Sequence, residues 1–251
     1  MVFRKLTSAF AAGVTVDTVL SQSHVAPGGT LRGEVRFNGG SGDHHVQGVG
    51  LEFTAVVDLG SGAKKTFDFH SVDAAGAFAL PAGAAHSVPL SVELPWETPV
   101  SALAGQRLTG MELGVATTLR LKSAVDKGDL DPLNVEPTAT QSRVLQAIDR
   151  LGFAFHRADL EAGALSGSAL PFHQKIEYWA AGEFRGTFSA LQLAFVTDAR
   201  ATRVVLDADR AGGFSAADGP TQVELTVAHD DAADLVPAVH QKLSELAKRR
   251  E

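Results

Sequence analysis

The densest concentration of chemistry-bearing side chains is Asp126-Lys127-Gly128-Asp129-Leu130-Asp131, inside the run from Leu121 to Leu133. Three carboxylates and an ammonium this close together admit three readings. They can be an ordinary solvated loop. They can form a charge cluster at a junction between two halves of the chain, with cations from the second half answering the carboxylates. Arg203, Arg210 and Lys175 are the candidate cations, and residue types alone do not choose among them. Breaking a buried pair of this kind costs roughly 3–5 kcal/mol, because it strands a charge, so such a cluster can act as a latch. The third reading is a calcium loop. The aspartate spacing lacks the full D-x-[DN]-x-[DN]-G-x5-E pattern, so too few oxygen ligands are assured.

Other chemistry is thinly represented. There are nine histidines, but no H-E-x-x-H or H-x3–5-H pair that would present two ligands on one face. His44 and His45 are adjacent, which in a strand sends them to opposite faces. The stretch Gly39-Gly40-Ser41-Gly42 lacks the second glycine of a nucleophile elbow at the right step. No phosphate-cradling G-x-x-x-x-G-K-[ST] or G-x-G-x-x-G run occurs. Asp207-Ala208-Asp209-Arg210 can hold paired carboxylates, with a surface turn as the simpler reading. These patterns predict no catalytic residues, no metal site and no cofactor, and therefore not an enzyme.

The chain has 251 residues, a formal net charge of -7 and no cysteine. Length allows one or two domains with cores of their own. The acidic balance argues against general nucleic-acid binding, which needs lysine and arginine to neutralise phosphates. The absence of cysteine excludes disulfides and thiolate chemistry, so the fold does not depend on an oxidising compartment. The first thirteen residues carry Arg4 and Lys5 ahead of a mildly apolar stretch, but Thr7, Ser8 and Gly13 interrupt it, which argues against a signal peptide. Phe3, Leu6 and Phe10 could touch an anionic membrane; packing against the chain's own sheet is the preferred expectation. The expected location is cytoplasmic.

The elements that must position these groups are mostly strands. Val14–Leu20, Thr30–Phe37, Val46–Val57, Lys64–Phe69, Ser87–Leu94 and Met111–Leu121 alternate or are rich in β-branched residues, with glycine- and proline-rich turns between them. That pattern predicts an all-β sandwich. Thr138–Leu151 changes to helical period through Val144, Leu145, Ile148 and Leu151; Thr138 or Thr140 can cap it and Gly152 ends it. Strands resume at Phe153–His156, Gln174–Trp179, Leu191–Val196, Ala201–Asp207 and Gln222–Ala228. A closing helix near 234–249 carries the apolar stripe Leu235, Val239, Leu243 and Leu246, and Pro237 must fall in its first turn. The expected domains are 1–135 and 136–251, two tandem β-sandwiches with a short interdomain helix and a C-terminal helix.

Several short segments, in order and spacing, give the chain a family resemblance. They are Val16-Asp17-Thr18-Val19-Leu20, Pro27-Gly28, Gly33-Glu34-Val35, Leu94-Pro95-Trp96-Glu97-Thr98-Pro99, Ala124-Val125-Asp126-Lys127-Gly128-Asp129-Leu130-Asp131, Leu151-Gly152-Phe153 and Leu170-Pro171-Phe172-His173-Gln174. The chain resembles the Spo0M-type sporulation-control proteins, which share an arrestin-like architecture. The resemblance implies stacked β-sandwich domains and a regulatory role in development or stress, exercised through protein partners and without catalysis. It also lends the Asp126–Asp131 run its reading as an arrestin-like polar cluster. Partner proteins are expected to bind by strand addition at a sheet edge, most readily in the first domain, and self-association is compatible with this. A β-rich module sensing a small molecule or a metal ion is the alternative.

Overall fold

The computed structural model describes residues 5–9, 13–60, 62–121, 124–210 and 222–248. The chain divides into two units. The first is Met1–Val56, Lys65–Gly105 and Glu112–Glu136; the second is Val57–Lys64, Gln106–Met111 and Pro137–Glu251.

In the first unit, one sheet runs β1 (Lys5–Ala9), β2 (Thr15–Leu20), β3 (Thr30–Asn38) and β7 (Ala85–Glu93) in that spatial order, all antiparallel. A second sheet is built on β4 (His44–Asp58), flanked by β10 (Leu113–Leu121) and then β11 (Ala124–Pro132); β5 (Lys64–Ala75) and β6 (Phe78–Leu80) also pair with β4. The two-residue strand β8 (Ala102–Leu103) belongs to this unit as well. Alternation puts Val16, Val35 and Phe37 of the first sheet against Val49, Leu119 and Leu121 of the second, all buried. A hydrogen bond between the hydroxyls of Thr18 and Thr117, 2.8 Å long and fully buried, crosses this core. Leu51, Phe53 and Ala55 are fully buried along β4, as their spacing predicts.

Two sequence motifs far apart in the chain meet in this unit. Gly28 turns at φ +69°, and a Cβ there would lie 2.4 Å from the Trp96 ring. The Gly28 amide donates to the Pro95 carbonyl, and Leu94 donates back to Gly29. Only glycine permits both the positive φ and the approach of the indole.

On β10, Ala116 and Thr118 are buried along with Leu113 and Val115. One sequence expectation changes here. The Asp126–Asp131 run is not a loop. It is strand β11, paired with β10 in a register that shifts between Ala116 and Thr118, which marks a bulge at Gly128 and Asp129. That geometry also removes the calcium-loop reading, which needs a tight coil around the ion.

The second unit contains β9 (Gln106–Arg107), helix α1 (Ala139–Arg150), the antiparallel strands β12 (Ala154–Ala162), β13 (Phe172–Trp179), β14 (Phe188–Thr197), β15 (Ala201–Arg210) and β16 (Gln222–Ala228), and helix α2 (Val236–Lys248). The five strands lie side by side in chain order. Thr138 caps α1 through a capping box: its hydroxyl accepts from the Gln141 amide, and the Gln141 side chain accepts from the Thr138 amide. Thr140 does not cap; its hydroxyl bonds Nδ1 of His229 at 2.9 Å. The chain leaves α1 at Gly152, where φ is +88°. In α2, Pro237 occupies the first turn, where its missing amide hydrogen costs nothing.

Register explains the burial of this sheet. Ile176, Leu193, Leu206 and Val223 form one buried row across four strands. Tyr178, Leu191 and Ala208 form the next. The helices cover this apolar face with Val144, Ile148, Val239, Leu243 and Leu246, all buried. The opposite face carries the charges.

Candidate interaction surface

On that open face, β12 and β13 oppose residue by residue. Arg157 faces Glu177, Asp159 faces Lys175, and Glu161 faces His173. Every rung pairs an anion with a cation or an imidazole, the arrangement that stabilises cross-strand pairs. The contacts run on as a chain. His173 Nε2 lies 3.9 Å from Glu161, whose other oxygen is bound by Lys175 Nζ. Lys175 is 3.7 Å from Asp159, and Asp159 is 3.7 Å from Arg157. Arg157 reaches Glu177 at 3.4 Å, and Glu177 lies 3.8 Å from His156. His156 in turn packs on the indole of Trp179, with ring centroids 4.3 Å apart. The register shift between Phe155 and Arg157 is a bulge that carries His156 and aims it at Trp179.

Burial varies along the ladder. Glu177 and Lys175 are close to buried, with side chains 10% and 13% exposed, while Trp179 is 48% exposed. Burial pushes the Asp159 carboxyl above its ordinary range, and the cations Lys175 and Arg157 only partly offset this. The His173 Nδ1–H donates to the Gly163 carbonyl at 2.8 Å, which fixes the ring. Beyond the ladder, the face continues through Gln192, Asp207 and Gln222, one row across β14, β15 and β16. A shallow hollow of about 210 Å³ lies here, lined by Glu161, Leu165, His173, Lys175, Gln192 and Asp207 among others. That is smaller than the roughly 300–1,000 Å³ of most small-molecule sites.

Asp126, Lys127 and Asp129 have their backbones in β11, and their side chains lie outside the described residues, as does that of Arg210 at the end of β15. Asp131 is partly buried on β11, opposite Val115. Arg203 is engaged inside the second unit: one guanidinium nitrogen donates to Glu224 at 2.7 Å and another to the Ser166 carbonyl. Lys175 belongs to the ladder. Asp207 is on strand β15 rather than in a turn, and accepts from the Gln222 side chain at 3.2 Å. Among the described residues, no three metal-ligating side chains converge.

Sequence reasoning missed the ladder because it ended the strand that begins at Phe153 at His156, whereas β12 continues to Ala162. The signal was present: Arg157, Asp159 and Glu161 alternate with Ala158, Leu160 and Ala162.

Comparison with known proteins agrees with this architecture. The crystal structure of Spo0M, a sporulation-control protein from Bacillus subtilis, superposes with a TM-score of 0.80 at 25% identity, covering 95% of this chain and 99% of that one. The sporulation-control protein spo0M of Bacillus subtilis strain 168 is 29% identical over 213 residues, 83% of this chain and 80% of the relative. The fold is thus the arrestin-like β-sandwich. The family model described as SpoOM protein matches residues 3–212, and the chain belongs to that family.

Proposed function

We propose that this chain is a non-catalytic regulator of sporulation or of a related developmental or stress programme, acting in the cytoplasm by holding protein partners. Membership of the sporulation-control family supports the regulatory part. The observation that carries the partner-binding part is the open face of the second unit. There a half-exposed Trp179 packs on His156, one rung along from the Arg157–Glu177 pair. Tryptophan and arginine are the residue types that most often dominate protein interfaces. The neighbouring hollow, about 210 Å³, is smaller than most small-molecule sites.

The test is genetic. Deleting the gene in its own host should delay or reduce differentiation, counted as heat-resistant spores where the host forms them. Wild type should restore it, and Trp179→Ala should not, although the variant protein melts like wild type. A deletion strain that develops normally rejects the regulatory reading. Full rescue by Trp179→Ala rejects the assigned surface.

A further inference from the structure

Sheet edges recruit strands unless something blocks them, and the edges of this protein are not equally guarded. Strand β11 carries Asp126, Lys127, Asp129 and Asp131 and a bulge. Strand β7 has Pro89 at its centre, which has no amide hydrogen to offer. Strand β5 carries Lys64, Lys65, Asp68 and Asp73, and β1 is five residues long. The last strand of the second unit is different. Strand β16, Gln-Val-Glu-Leu-Thr-Val-Ala, pairs with β15 alone among the described residues. Its one charge, Glu224, is already met by Arg203.

The β16 sequence is also self-complementary. Read outward from Leu225, it places Glu and Thr at one step, Val and Val at two, and Gln and Ala at three. Val223 and Val227 are buried on the apolar face, Leu225 is half-buried, and Gln222, Glu224, Thr226 and Ala228 are exposed. We propose that β16 is a self-association edge, where two copies of this chain pair β16 antiparallel to β16 about a two-fold axis at Leu225. Val223 of one copy then opposes Val227 of the other, and Glu224 opposes Thr226. The buried row Ile176–Leu193–Leu206–Val223 continues across the axis without a break. Moving the axis by one residue onto Glu224 would set two carboxylates face to face, which is unfavourable. Self-pairing at β16 does not depend on the regulatory role.

The chain has no cysteine, so introduced thiols report without background. Directly opposed residues hold their Cβ atoms about 4.5–5.5 Å apart, close enough for a disulfide after a small shift. Glu224→Cys and Thr226→Cys are both surface changes. Mixed in equal amounts and mildly oxidised, the two variants should give a disulfide-linked dimer, and neither should do so alone. By sedimentation, the unmodified chain should dimerise with rising concentration. Thr226→Glu should weaken that by about tenfold through two opposed carboxylate pairs, whereas Thr226→Gln should not. A chain that stays monomeric at millimolar concentration overturns the proposal. So does cross-linking that is equal in the mixture and in either variant alone, and so does a dimer indifferent to Thr226→Glu.

Discussion

Nζ of Lys175 lies 3.7 Å from Oδ1 of Asp159, its directly opposed neighbour, and that oxygen is buried with no hydrogen-bond partner among the described residues. The lysine instead binds Glu161, one rung along. Asp159 therefore depends on Lys175 for charge but not for a hydrogen bond. Lys175→Met should destabilise the protein by about 1–3 kcal/mol, because it leaves Asp159 and Glu161 less compensated. Combining it with Asp159→Asn should cost less than the two single changes added together. Chemical denaturation of the four proteins measures the difference; strict additivity would mean the two side chains do not interact.

The pH dependence has two opposed parts. The backbone amides of Arg200 and Ala201 hold Asp198 below the ordinary carboxylate range, and the Val236 amide and Arg150 do the same for Asp234. Their stabilising contribution is present above the unfolded value near pH 4 and is lost as pH falls through the lowered folded values. Asp159 is raised, so its contribution is present below about pH 4 and is lost as pH rises through its raised folded value. Melting curves between pH 2 and pH 7 should therefore show Asp234→Asn with a flatter acid limb. Asp159→Asn should gain relative stability as pH rises above 4.

Gly28→Ala should cost about 1–3 kcal/mol, since a Cβ there enters the Trp96 ring and φ is positive. The shift should also appear in tryptophan fluorescence, because the indole must move. A variant with wild-type melting and emission would show that the turn is looser than its contacts indicate.

Leu243→Asp should unfold the C-terminal helix or cost more than about 3 kcal/mol, because Leu243 is fully buried between α2 and the sheet. Thr138→Ala should cost only about 1 kcal/mol through the lost cap of α1. Circular dichroism melts that rank the two in the opposite order would contradict the packing.

The sequence leaves Asp126, Asp129 and Asp131 as either a latch or ordinary charges. Replacing Asp126, Asp129 and Asp131 together by Asn should raise protease cleavage near residues 134–140 and lower the melting temperature. A triple variant that digests and melts like wild type would leave these charges as guards of an edge strand.

Much of this protein was legible from local pattern. The limits of β16 agree with the sequence reading to the residue, and α1 and α2 fall within two residues of it. Strong alternation, a helical stripe and a cap are all encoded in neighbouring residues, so no distant contact is needed to read them. The Asp126–Asp131 run was not legible as a strand. Its charges and glycine read locally as a loop, and pairing with β10 overrides that preference. Nor does sequence say that Pro27-Gly28 meets Trp96, that Arg203 is taken up by Glu224, or that Arg157, Asp159 and Glu161 face Glu177, Lys175 and His173. Those relationships depend on cross-strand register, which the hydrophobic pattern limits to alternate residues but which only the packed sheets fix.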